Sequence, residues 1–200
     1  MLEALRRCAM SVLLLPPAMP MSVDVIRNAG MEQGPLQKYI ARLERGFPGE
    51  SFDALALVNV GHQRLYFLKD RRVKKSYPVS TSRHGLGSDQ DSLRTPLGMH
   101  KVREKIGQGE PLGRIFKARV PTAALAEPMT EPARTPDDFV TSRILWLDGL
   151  EVGVNRGDGI DSFARFIYIH GTHEEGLIGS PASEGCVRMK NADVIELFDM

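Results

Sequence analysis

Two short segments of this sequence hold residue types that could do covalent chemistry together. They are Ile169-His170-Gly171-Thr172 and Ser183-Glu184-Gly185-Cys186-Val187-Arg188-Met189. A free cysteine thiol has a pKa of about 8.5 and is mostly protonated near neutrality. It becomes a competent nucleophile when a neighbouring imidazole takes its proton or stabilises the thiolate. His170 closes one apolar run, and Cys186 follows a glycine sixteen positions later, so general base and nucleophile can converge on a carbonyl. Gly185 removes a side chain where that carbonyl must approach, and backbone N–H groups near Cys186 could hold a developing oxyanion. His173 makes an H-x-x-H with His170, but no fourth ligand stands at a standard spacing, so the pattern is not read as a metal site.

The elements that must position these residues are mostly short strands. Ala54 to Val60 is an almost continuous apolar run, and Leu65 to Leu68 follows across a Gly61–Gln63 turn, which reads as a hairpin. Tyr77 to Thr81, Gly98 to Val102, Ile115 to Val120, Arg143 to Leu147 and Phe166 to His170 are further extended candidates. Residues 121–136 contain four prolines and little periodicity, and are expected to form a long surface loop. Two helices frame the strands. Pro35 to Phe47 places Leu36, Ile40 and Leu43 on one face, and Asn191 is expected to cap a final helix through Ile195 and Phe198. His84 and His100 are expected at the surface. Many short strands between turn signals predict a mostly-β sandwich or barrel with a few short helices.

The bulk composition excludes several classes. A chain of 200 residues with 42% hydrophobic content can bury one ordinary core. Lys and Arg total 26 against 25 Asp and Glu, so no basic footprint invites nucleic acid or an anionic membrane. No run of 18 apolar residues is present, so no membrane span is expected. Cys8 and Cys186 are too few for a disulfide framework. Residues 1–20 pass from Arg6 and Arg7 through an apolar Cys8–Leu15 stretch to Pro16, Pro17 and Ala18, an order that resembles a secretory leader and an envelope location. The alternative is a start at Met21. The organisation expected is therefore a leader over 1–20, a helical extension over 21–50 and a catalytic domain over 51–200.

The two-part signature resembles the L,D-transpeptidase catalytic domain (the YkuD, or ErfK/YbiS/YcfS/YnhG, family), marked by H-G-[TS] and then S-H-G-C-[IV]-R-[ML]. Tyr77-Pro78-Val79-Ser80-Thr81-Ser82, Thr95-Pro96-Leu97-Gly98 and Thr141-Ser142-Arg143-Ile144-Leu145-Trp146 match supporting segments in order, and the resemblance covers roughly residues 52–199. It implies attack on the diaminopimelate carbonyl of a peptidoglycan tetrapeptide stem, release of D-alanine, and capture of the thioester by an amine. When the amine belongs to another stem, a 3→3 cross-link forms; with water the outcome is hydrolysis. Donor and acceptor stems are the partners it implies, and it needs no cofactor.

Roles follow residue by residue. Cys186 is the nucleophile and His170 the base, with the backbone carbonyl of Gly171 or Thr172 orienting the imidazole. Arg188 shares a face with Cys186 and is placed to meet a substrate carboxylate. Ser183 shapes the turn or donates a hydrogen bond, and Gly185 precedes the nucleophile. Glu184 stands where the family usually has His. A carboxylate facing the thiol would disfavour the thiolate, although neighbours in an extended segment face opposite ways. The family's domains usually continue into a further strand, whereas this sequence ends at Met200.

Overall fold

Side-chain alternation with a period of two turns the apolar runs into a sheet. The computed structural model describes residues 10–17 and 35–200. Cys8, Met21 and most of the 1–20 segment lie outside the described residues. The described chain begins with β1 (Ser11–Leu15), helix α1 (Pro35–Gly46), β2 (Ala54–Asn59), β3 (Arg64–Lys69) and β4 (Arg72–Pro78). It continues through β5 (Gly98–Ile106), β6 (Arg114–Lys117), β7 (Val120–Leu125) and β8 (Val140–Gly149). After β9 (Tyr168–Gly171) come a 3-10 turn (Glu175–Leu177), β10 (Val187–Met189) and helix α2 (Asn191–Asp199). No helix among the described residues is long and apolar enough to cross a membrane.

The strands form one mixed sheet in the order β10-β9-β8-β5-β1-β2-β3-β4, with the β6–β7 hairpin joined to β8 through β6. Ser80, just beyond β4, and Arg188 in β10 exchange backbone hydrogen bonds of 2.9 and 2.8 Å, so the sheet closes on itself. The mostly-β expectation holds. Val12 and Leu14 pack inward with Ala54, Ala56, Val58, Leu145 and Ile169, and α2 adds Leu197 and Phe198. Leu13 and Leu15 turn to the other face, where Leu55 and Leu57 meet Ile40 and Leu43 of α1. Strands covered on both faces read as continuous apolar runs.

That pattern corrects the reading of the apolar stretch before Leu15. Ser11–Leu15 is not separate from the catalytic fold. It is a fully buried strand in mid-sheet, parallel to β2 and antiparallel to β5. An apolar run of this length looks the same in sequence whether it is the core of a leader or a doubly covered strand.

Other differences are local. Part of the expected 121–136 loop is strand: the chain reverses between β6 and β7 through Ala118 (φ 47°) and Arg119 (φ 70°). A two-residue turn with both central residues left-handed usually carries Asn-Gly, so its signal is missing here. Asn191 is not the cap; α2 starts at it from Lys190. The side chain is instead buried, with Nδ2 donating to Thr172 O at 2.7 Å and Oδ1 accepting from Thr141 and Ser142. His100 is fully buried rather than on the surface, held by Gly98 O and Ser162 Oγ, and burial lowers its pKa to about 4.

Leu14 is 1% exposed in the inner core. Leu14→Ala is expected to destabilise the full chain by about 2–5 kcal/mol in urea denaturation. Unchanged stability would place residues 11–15 outside the folded core.

Candidate active site

Strands β9 and β10 run parallel, with Ile169 opposite Val187, His170 opposite Arg188 and Gly171 opposite Met189. Ile169, Val187 and Met189 are wholly buried in the inner core. Alternation then forces Tyr168, His170, Cys186 and Arg188 onto the opposite face. There Cys186 packs against the cluster of Phe116, Ile144, Trp146 and Tyr168. The strand pair puts His170 and Cys186 on one face.

His170 is 2% exposed, and its Nδ1 lies 2.8 Å from Gly171 O. A carbonyl can only accept, so Nδ1 carries the proton and Nε2 keeps the lone pair that a base needs. Of the two orienting carbonyls left open by the sequence, Gly171 is the one used. Thr172 instead donates its N–H to Met189 O, and its own carbonyl receives Asn191. A Cβ on Gly171 would lie 2.7 Å from Thr141 O and 2.8 Å from Asn191 Oδ1, so this packing needs glycine. Burial lowers the imidazole pKa, Asp138 and the Gly171 carbonyl raise it, and Arg188 lowers it further; the net direction is down.

Cys186 is half-buried. Its Sγ lies 3.5 Å from Phe166 O as donor and accepts Tyr168 N–H at 3.4 Å. Burial pushes the thiol up to about 12; the Tyr168 N–H, Arg165 and Arg188 lower it, and Asp138 raises it. No hydrogen bond joins Sγ to the His170 imidazole here. Both groups rest in their neutral forms, a thiol and an imidazole poised on one face.

The turn before the thiol is built for its position. Gly185 has φ 122°, a conformation that L side chains avoid. Nothing lies closer than 3.5 Å to a Cβ placed there, so the requirement is conformational. Ser183 is buried and donates Oγ to Cys186 O at 2.6 Å, and Thr95 Oγ1 donates to Gly185 O at 2.9 Å. Glu184 points away from the thiol to solvent, where Oε1 pairs with Arg83 at 2.6 Å.

Arg188 is buried and ion-paired rather than open to solvent. It is 1% exposed, and its Nη1 is paired with Asp138 Oδ1 (2.9 Å) and Glu174 Oε2 (2.8 Å). The guanidinium is enclosed at this position on the strand pair, and two acids meet its charge there. Glu174 also accepts the N–H and hydroxyl of Thr135, and these bonds with Arg188 hold its carboxyl below its usual range despite burial. Glu174, Asp138 and Thr135 were missed. Glu174 carried a signal, since it lies four residues after His170, whereas Asp138 and Thr135 sit in a stretch without periodicity.

The described residues contain no cluster of three His, Cys, Asp or Glu side chains arranged to hold a metal. Residues 53–200 match the L,D-transpeptidase catalytic domain family (YkuD). A search of curated proteins gives no match. An L,D-transpeptidase from Mycobacterium smegmatis aligns at 15% identity and TM-score 0.41, covering 74% of this chain and 54% of that one. An LD transpeptidase solved in complex with imipenem aligns at 12% identity and TM-score 0.42, again covering 74% and 54%. An L,D-transpeptidase from Xylanimonas cellulosilytica aligns at 18% identity and TM-score 0.32, covering 88% of this chain and 71% of that one. The chain spans about half the length of the first two, at 54% each.

With the thiol pKa near 12, the iodoacetamide rate at Cys186 should rise about tenfold per pH unit from pH 7 to 10 without levelling. A plateau near neutrality would reveal a resting thiolate–imidazolium pair. Arg188→Met leaves Glu174 charged and buried, and is expected to cost about 3–5 kcal/mol in denaturant titration. Adding Glu174→Gln should recover much of that loss; no recovery would remove the ion pair as the cause.

Proposed function

We propose that this chain, which belongs to the L,D-transpeptidase catalytic domain family, transfers peptidoglycan stem acyl groups through a thioester on Cys186. The observation that carries the reading is the common face of Cys186 and His170 on paired strands, with the imidazole oriented by Gly171 O. On substrate binding, the Cys186 side chain turns from Phe166 O toward Nε2 of His170. The thiol proton passes to Nε2 as sulfur attacks the diaminopimelate carbonyl of a tetrapeptide stem. N–H groups of the Gly185–Cys186 turn receive the oxyanion. The C–N bond to D-alanine then breaks, and the imidazolium returns the proton to the leaving amine. An amine of a second stem takes the acyl group, giving a 3→3 cross-link. The substrate puts this reaction in the cell envelope.

A neutral starting pair suits such a sequence. The proton moves while negative charge shifts from sulfur to the carbonyl oxygen, so no isolated thiolate has to persist in a half-buried site.

The test is incubation with diaminopimelate-containing tetrapeptide muropeptides, read by mass. Released D-alanine with cross-linked dimers is expected, and Cys186→Ala should abolish both. Tripeptide without dimer would replace transfer with hydrolysis. No product, with Cys186→Ala indistinguishable from the parent, would leave the chain a peptidoglycan-binding module.

A further inference from the structure

We infer that Arg165 is a positioning residue for Cys186: its guanidinium ties segment 87–94 to segment 161–166 and so fixes the backbone on both sides of the nucleophile's turn. The inference rests on the thioester reading and adds the group that holds the thiol's surroundings in shape. Arg165 Nη1 donates to Gly87 O at 3.4 Å, and Nη2 donates to Arg94 O at 2.8 Å and Ser92 Oγ at 3.3 Å. A planar fork can hold several acceptors at once, which a single ammonium does poorly. Arg165 is not part of the charged cavity of about 280 Å³ whose wall carries Arg83, Arg134, Asp138, Glu174, Glu184 and Arg188.

Both tied segments reach the thiol. Phe166 follows Arg165 in the chain, and its carbonyl is the one that accepts Sγ at 3.5 Å. On the other side, a Cβ placed on Gly185 would lie 3.5 Å from Arg94 O and 3.7 Å from Leu93 C. The Leu93–Arg94 backbone therefore borders the turn before Cys186, and Arg94 O is the atom that Arg165 grips. Thr95, next along, donates Oγ1 to Gly185 O.

The tied backbone is held in conformations it would not choose. Phe166 (φ 58°), Leu93 (φ 57°) and Asp91 (φ 59°) are left-handed without being glycine. Such residues persist only where the surroundings over-determine them. Phe166 is 49% exposed and Leu93 42%, so burial of their own side chains supplies little of that restraint. Trp146 and Arg119 engage the Phe166 ring, whereas Arg165 fixes the chain that carries its carbonyl. Fixing Phe166 O fixes where the thiol rests before it turns to Nε2 of His170.

The charge of Arg165 works in the same sense. Burial raises the Cys186 pKa most and Asp138 raises it further, while the Tyr168 N–H, Arg165 and Arg188 lower it. Burial also opposes the guanidinium charge, which Asp89 and Asp91 support.

The test is kinetic, on the full chain and its Arg165→Gln and Arg165→Lys variants. Mass spectrometry follows Cys186 through alkylation by iodoacetamide at pH 8 and acylation by diaminopimelate-containing tetrapeptide. Arg165→Gln removes fork and charge, and is expected to slow alkylation about tenfold through loss of thiolate. Its maximal acylation rate should fall at least about tenfold, with the half-saturating tetrapeptide concentration within about twofold of the parent. Arg165→Lys restores charge without the fork, so alkylation should return to within about threefold while acylation stays slow. Rates are taken per folded molecule, with thermal melting read alongside. Lower melting with parental rates would make Arg165 structural and overturn the inference. So would a raised half-saturating concentration at an unchanged maximal rate. If Arg165→Gln does not fold, Arg165→Lys decides alone, and parental acylation by it sinks the inference. A parent that alkylates but is never acylated sinks the thioester reading, and alkylation of the variants still decides the positioning role.

Discussion

The parallel pairing of β9 with β10 is the constraint on which the site depends. Ile169, Val187 and Met189 commit one face of the pair to the inner core. Everything chemical lies on the other face as a consequence. A slip of one residue would turn Val187 outward and carry Cys186 into the core. The register is held from both sides. β8 pairs with β9 through Ile144 and His170, and Ser80 bonds to Arg188 across the closure of the sheet. Core packing and the placing of Cys186 and His170 on one face are thus one requirement, met by the same few residues.

Burial on that face sets the electrostatics. Desolvation disfavours charge, so it raises the thiol and lowers the imidazole, and both groups rest neutral. The ionic groups nearby are organised differently. Two carboxylates meet Arg188, and Arg188 and Thr135 hold the Glu174 carboxyl below its usual range. Asp138 favours an imidazolium and Arg188 opposes it, so the ionic cluster shifts the His170 pKa in both directions.

The sequence made the strand pair legible because its signals are local. His170-Gly171-Thr172 and Ser183 to Met189 each carry their own geometry, and Gly185 announced a turn whose φ only glycine readily takes. The orienting carbonyl narrowed to Gly171 once the backbone was seen. The ion cluster was not legible, because Asp138 and Arg188 are fifty positions apart and no periodic pattern links them. The same limit hid β1. Its five residues pair with β2 and β5, tens of positions away, and such partners leave no mark on an apolar run. The burial of Arg188 was hidden for a related reason: strand alternation gave its face, but not the segment that folds over that face.

That covering segment is residues 126–139, and its attachment explains how a family frame acquires a particular site. Met129 bonds to His173 and Gly176 through the backbone, and Thr135 to Glu174 through Oγ1. The segment therefore leans on the continuation of β9 rather than on the thiol. It brings Arg134 and Asp138 to the cavity while leaving Cys186 and His170 to the sheet. Glu184 completes the division. Placed in the turn before Cys186, it faces Arg83 and the cavity, so its carboxylate adds charge to the cavity wall and none to the thiol's contacts. The strands carry Cys186 and His170, and the loop and Glu184 carry charges that line the cavity. The two meet at Arg188, whose backbone belongs to β10 and whose guanidinium belongs to the cavity, and at Asp138, whose charge reaches both Cys186 and His170.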